Sequence, residues 1–167
     1  TALGNDSAAS GYKATATGVA STASGEYSSA YGNNAVSSGY STVAVGSGST
    51  ASGDSSTALG NDSAASGYKA TATGVASTAS GEYSSAYGNN AVSSGYSTVA
   101  VGSGSTASGD SSTALGNDSA ASGYKATATG VASTASGEYS SAYGNNAVSS
   151  GYSTVAVGSG STASGDS

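Results

Sequence analysis

The chain has 167 residues, a net charge of −6, 27 glycines and 12 tyrosines, and contains no Pro, Cys, Met, Trp, Phe or His. These absences exclude disulfides, thiolate nucleophiles, zinc clusters, imidazole ligands and an ordinary general base near neutral pH. The acidic balance, with only three cationic side chains, argues against nucleic-acid binding, and no stretch is long or apolar enough for a membrane helix or a signal peptide.

Few large apolar residues and much Ser and Gly are the composition of disorder or of a flexible linker. Periodicity overrules that reading. Residues 1–56, 57–112 and 113–167 are identical copies, the last lacking one Ser, and they form a single repeat region. Within the first copy the chain reads in fourteens: TALGNDSAASGYKA, TATGVASTASGEYS, SAYGNNAVSSGYST and VAVGSGSTASGDSS. Position 2 of each unit is Ala, position 4 Gly, position 10 Ser and position 11 Gly. A linker has no reason to keep such columns.

In chain order, each unit is expected to form a strand around position 2, a turn beginning at the position 4 glycine, a strand around position 8, and a turn at the position 11 glycine. Glycine supplies the φ > 0 conformations of tight turns, and two turns in fourteen residues leave strands of about five residues. All the charges lie beside the glycines: Asp6, Lys13, Glu26 and Asp54 in the first copy. Positions 14, 2, 7 and 9 hold only Ala, Ser and Thr, so alternation points four small columns into one narrow interior. The expected fold is all-β: a flattened coil of two thin sheets, one turn per unit, with each strand pairing in parallel with its equivalent in the next of about twelve coils, four per copy. At roughly 4.8 Å per coil the rod would be about 55–60 Å long.

The larger apolar residues fall in positions 1 and 3 of one sheet, facing away from the interior. Leu3, Tyr31, Val43, Val45, Leu59, Val99, Val101, Val155 and Val157 are therefore expected to form a self-association face. The residues exposed at the turns, Tyr12, Lys13, Glu26, Tyr40 and Asp54, are the candidate ligand-binding set, since exposed tyrosines are good recognition residues.

These columns resemble the head repeats of the trimeric autotransporter adhesins, the YadA-like heads. The family repeat is close to N-S-V-A-I-G-x-x-S followed by A-x-A-S-G, and the best match is Ser41-Thr42-Val43-Ala44-Val45-Gly46-Ser47-Gly48-Ser49 with Thr50-Ala51-Ser52-Gly53, recurring at 97–105 and 153–161. Ser41 and Thr42 stand where the family prefers Asn-Ser, and Val45 replaces Ile. Thr17 and Tyr31 at the Ile position imply a more polar trimer contact in their coils. The resemblance implies a left-handed parallel β-roll assembled as a homotrimer. It implies a bacterial cell-surface head that attaches to host cells or extracellular-matrix proteins and is anchored in the outer membrane by regions outside this sequence. The chain begins at Thr1 without Met and reads as a fragment. It is expected to be no enzyme, to need no cofactor or metal, and not to insert into a membrane itself.

Several motifs suggest other chemistry. Gly46-x-Gly48-x-x-Ala51 after a β-branched run matches a dinucleotide fingerprint, but no helix follows to present its amides to a pyrophosphate. Ser10-x-x-Lys13 resembles a serine–lysine pair, and that motif also works from a helix. Asn5-Asp6-Ser7 is a glycosylation sequon of little meaning on a bacterial surface rod, and calcium-binding repeats run at nine residues with denser Asp. A structural spacer is the main alternative function. Ice binding is weaker, because the Thr15/Thr17 pair gives way to Ser29/Tyr31 and Val43/Val45 in the next coils.

Overall fold

The computed structural model describes residues 1–166. The first copy contributes β1 (Ala2–Leu3), β2 (Ala8–Ala9), β3 (Thr15–Thr17), β4 (Thr22–Ala23), β5 (Ser29–Tyr31), β6 (Val36–Ser37), β7 (Val43–Val45) and β8 (Thr50–Ala51), and the next opens with β9 (Thr57–Leu59). Odd-numbered strands form one 12-stranded sheet and even-numbered strands another, each strand lying beside its equivalent in the neighbouring coils. All pairs are parallel, and partners are one fourteen-residue unit apart: Ala16 with Ala30, Val45 with Leu59, Ala65 with Ala79. The chain is a parallel β-solenoid of about twelve coils, as its columns predict.

The interior is as narrow as the small columns require. Ala16, Ala23, Ala30, Ala44 and Ala51 are fully buried between the sheets, and the largest fully buried side chains are Thr42 and Thr98, followed by serines. So little apolar area per coil leaves much of the cohesion to the backbone ladder. That ladder does not stop at the strand ends. In the turns, Ala20 N–H donates to Asn5 O and Tyr27 N–H to Tyr12 O, both at 2.8 Å, so each turn is bonded to the turn below it. Most interior hydroxyls also find partners, those of Ser56, Ser84, Ser112 and Ser140 excepted. Ser21 Oγ donates to Gly18 O at 3.0 Å and Ser49 Oγ to Gly46 O at 2.8 Å, while Ser37 Oγ and Thr42 Oγ1 meet across the interior at 2.7 Å.

Two expectations are corrected. The strands span two or three residues, not five, because each turn takes four residues of the unit, its hydrogen bond running from Ser21 N–H to Gly18 O in one and from Ser28 N–H to Gly25 O in the other. The position 4 glycines take φ > 0 as expected, between 122° and 141°, but the position 11 glycines do not, and further left-handed residues occur in both turns. They stand two places later, at positions 6 and 13: Asp6 at φ 56°, Lys13 at 53°, Ala20 at 54°, Tyr27 at 56° and Asn34 at 55°. The position 11 glycines answer to a different constraint, close approach. A Cβ on Gly39 would lie 2.7 Å from the carbonyl oxygen of Ser52 in the next coil. Gly48 and its copies Gly104 and Gly160, the three glycines outside the two strict columns, also occupy a left-handed position, with φ of 69°, 69° and 68°.

Candidate ligand-binding edge

The second turn of every coil stacks along one edge of the solenoid, because the ladder continues through it. Ser41 N–H donates to Glu26 O at 2.8 Å, Ser55 N–H to Tyr40 O at 2.7 Å and Lys69 N–H to Asp54 O at 2.9 Å. Position 12 of the unit is thereby brought into a single exposed file. Along it Tyr and carboxylate alternate without exception: Tyr12, Glu26, Tyr40, Asp54, Tyr68, Glu82, Tyr96, Asp110, Tyr124, Glu138, Tyr152 and Asp166. The predicted set Tyr12, Glu26, Tyr40 and Asp54 is therefore one file, and its period is two coils rather than four.

Position 13 adds the neighbouring row. Lys13 lies there with its Nζ 5.4 Å from the Tyr12 ring centroid and 5.6 Å from that of Tyr27, a cation–π arrangement repeated by Lys69 and Lys125. Tyr27 stands edge to face between Tyr12 and Tyr40, with centroids 5.6 Å from each. The same triplet recurs as Tyr68, Tyr83 and Tyr96 and as Tyr124, Tyr139 and Tyr152. Tyr27 was not among the predicted ligand residues. Its place one position later in its unit hid that it fills the gap between two tyrosines of the file. Asp54 is held by the backbone, accepting a hydrogen bond from Tyr40 N–H at 2.9 Å, as Asp110 does from Tyr96.

The predicted self-association residues lie elsewhere, on the outward face of the odd-strand sheet. Leu3, Tyr31, Val43, Val45 and Leu59 follow one another along it, and Val99, Val101, Val155 and Val157 continue the same columns. Val45 and Leu59 are 38% and 37% exposed in the single chain, a large fraction for apolar side chains on a sheet face.

The other motifs find no chemical setting. Gly46 and Gly48 lie in the turn between β7 and β8, and Ala51 is fully buried in β8, so a strand stands where a dinucleotide site needs a helix. Among the described residues there is no pocket and no group of three or more acidic side chains able to hold a metal ion, and no helix is long and apolar enough to cross a membrane.

The YadA head domain repeat model matches residues 1–18, 9–35, 37–63, 65–91, 93–119, 121–147 and 149–167, nearly the whole chain. The chain belongs to the YadA head-repeat family. Among solved structures it is similar to the crystal structure of the collagen-binding domain of the Yersinia adhesin YadA, with a TM-score of 0.57 and 28% identity over 87% of this chain and 69% of that one. None of the curated proteins compared with it matches the chain. Family and fold agree on a YadA-like head.

Proposed function

We propose that this chain is the head of a bacterial surface adhesin that attaches to host cells or matrix proteins through a repeated surface. Its coils follow the left-handed roll of its family, and three chains pack around a threefold axis through the outward face of the odd-strand sheet. It is held outside the outer membrane by segments beyond this sequence. It works by binding, with no catalysis and no cofactor.

The observation that carries this reading is the unbroken file at position 12. An exposed aromatic–carboxylate strip, kept in register through every described coil, is a surface repeated for recognition. Copies recur every four coils, roughly 19 Å apart, and three chains multiply them. Contacts of modest strength would then gain from high effective concentration, by about 10²–10⁴ in avidity. The similarity to a collagen-binding domain makes collagen the first matrix protein to test.

Solid-phase binding of the recombinant chain to collagen and other matrix proteins tests the proposal, with a chain of scrambled outward positions as control. Saturable binding that the control lacks is the expected result. A spacer that merely projects another domain, the reading favoured by the uniformity of the copies, would bind nothing in either form.

A further inference from the structure

The strip has a period as well as a composition. Tyr12, Tyr40, Tyr68, Tyr96, Tyr124 and Tyr152 occupy the same turn position in every second coil, with a carboxylate at each coil between. Two coils at roughly 4.8 Å make a repeat of about 9.6 Å. A polyproline II helix has three residues per turn and a rise of about 3.1 Å, so one of its faces returns every ~9.3 Å. The two repeats differ by only ~0.3 Å per turn, which leaves about 1.5 Å of slip across six tyrosines.

We propose that this edge is a docking strip for a cationic, proline-rich chain in the polyproline II conformation. One residue of each ligand turn lies against a position 12 tyrosine, and a basic side chain reaches the carboxylate half a turn on. Aromatic rows recognise polyproline II chains because prolines are pre-extended and lose little entropy on binding. Tyrosine suits the task, with a flat apolar ring and a polar tip.

The sign of the ligand follows from the charge of the strip. Six of the nine acidic residues lie in the position 12 file. Against them stand only Lys13, Lys69 and Lys125 in the adjacent row, whose ammonium groups rest over the tyrosine rings. The strip keeps a net negative charge, and an anionic or neutral chain would give its carboxylates no cationic partner. Basic side chains also stack favourably on tyrosine faces. Glu26, Glu82 and Glu138 are exposed. The Asp54 and Asp110 carboxylates are each steadied by one backbone amide, which fixes where their charge sits.

The test titrates the full chain with an 18-residue Pro-Pro-Lys repeat peptide. The protein has no Trp and 12 tyrosines, and the peptide has no aromatic residue, so tyrosine emission reads binding directly. Comparison ligands are a Gly-Ser-Lys repeat of equal length and charge, a Pro-Pro-Glu repeat, and a triple-helical Gly-Pro-Pro peptide. Expected are saturable binding of Pro-Pro-Lys, at least roughly tenfold weaker binding of the flexible Gly-Ser-Lys chain, and none of Pro-Pro-Glu. Tyr40→Ser, Tyr96→Ser and Tyr152→Ser together should cost about tenfold in affinity, the sum of three modest ring contacts. Glu26→Gln, Glu82→Gln and Glu138→Gln should weaken binding without abolishing it, with circular dichroism confirming the fold of both variants. Equal binding of Pro-Pro-Lys and Gly-Ser-Lys, an unchanged tyrosine variant, no binding of Pro-Pro-Lys, or binding of the triple helix alone would each overturn the proposal. Matrix-protein binding measured on the same samples separates it from the adhesin reading: matrix binding without peptide binding removes the strip alone, and peptide binding without matrix binding removes the adhesin reading alone.

Discussion

Ala20 and Gly48 occupy the same turn position two coils apart, and both hold a left-handed backbone, with φ of 54° and 69°. For Gly48 this conformation carries no steric cost, whereas an alanine there loses about 1–2 kcal/mol to its Cβ. Replacing Ala20, Ala76 and Ala132 with Gly should therefore raise stability. The greater entropy of glycine in the unfolded chain takes back about 0.5–1 kcal/mol per site, so the net gain is up to about 1 kcal/mol each. Thermal melting should move up for the triple variant. Gly48→Ala should move it down, since the new Cβ would also meet the Asp62 carboxylate of the next coil.

Ala44 is fully buried and lies in register between Ala30 and Ala58. A leucine there has no room between the two sheets, and overpacking of this kind costs about 1–3 kcal/mol. The Ala44→Leu variant should unfold at lower denaturant concentration. An unchanged midpoint would contradict the inward placement of position 2.

The interior hydroxyls separate into two groups. Thr42 Oγ1 donates to Gly39 O at 2.9 Å and meets Ser37 Oγ at 2.7 Å, whereas Ser56 Oγ and Ser112 Oγ are buried without a partner. Thr42→Val should cost about 1 kcal/mol or more, since it removes these bonds and leaves the shape. Ser56→Ala with Ser112→Ala should leave the melting temperature unchanged or raise it, because an unpaired buried hydroxyl contributes only its desolvation. Ala14 already occupies this position in the first coil. Differential scanning calorimetry of the two variants gives opposite signs if the assignment holds.

Val43 and Val45 sit on the outward face of the odd-strand sheet beside Thr57 and Leu59. If three chains meet there, Val43→Asp with Val45→Asp places unpaired carboxylates in the contact, and the trimer should weaken strongly. Sedimentation equilibrium should find a trimer for the unmodified chain and lighter species for the variant. A folded, monodisperse monomer of the unmodified chain would rule out the assembly.

The columns at positions 2, 7, 9 and 14 of the unit were enough, by themselves, to establish a parallel solenoid with a narrow interior. Small residues alternating about two turns leave only one face that can be buried, and a fourteen-residue repeat leaves only one register in which each strand meets its own equivalent. The outward columns of Leu, Val and Tyr were legible for the same reason. The turns were not. Which residues take the left-handed conformation depends on where the hydrogen bond of the turn closes; composition pointed to the glycines, which holds at position 4 but not at position 11, and Asp6, Ala20 and Tyr27 carry positive φ besides. The need for glycine at Gly39 arises from the Ser52 carbonyl, 13 residues away in sequence and one coil away in space. The tyrosine edge was half legible: Tyr12, Glu26, Tyr40 and Asp54 were recognisable as exposed, but not as one file with Tyr27 between its rings. Side-chain direction at a turn is set by the stacking of one coil on the next, and only the tertiary structure decides that.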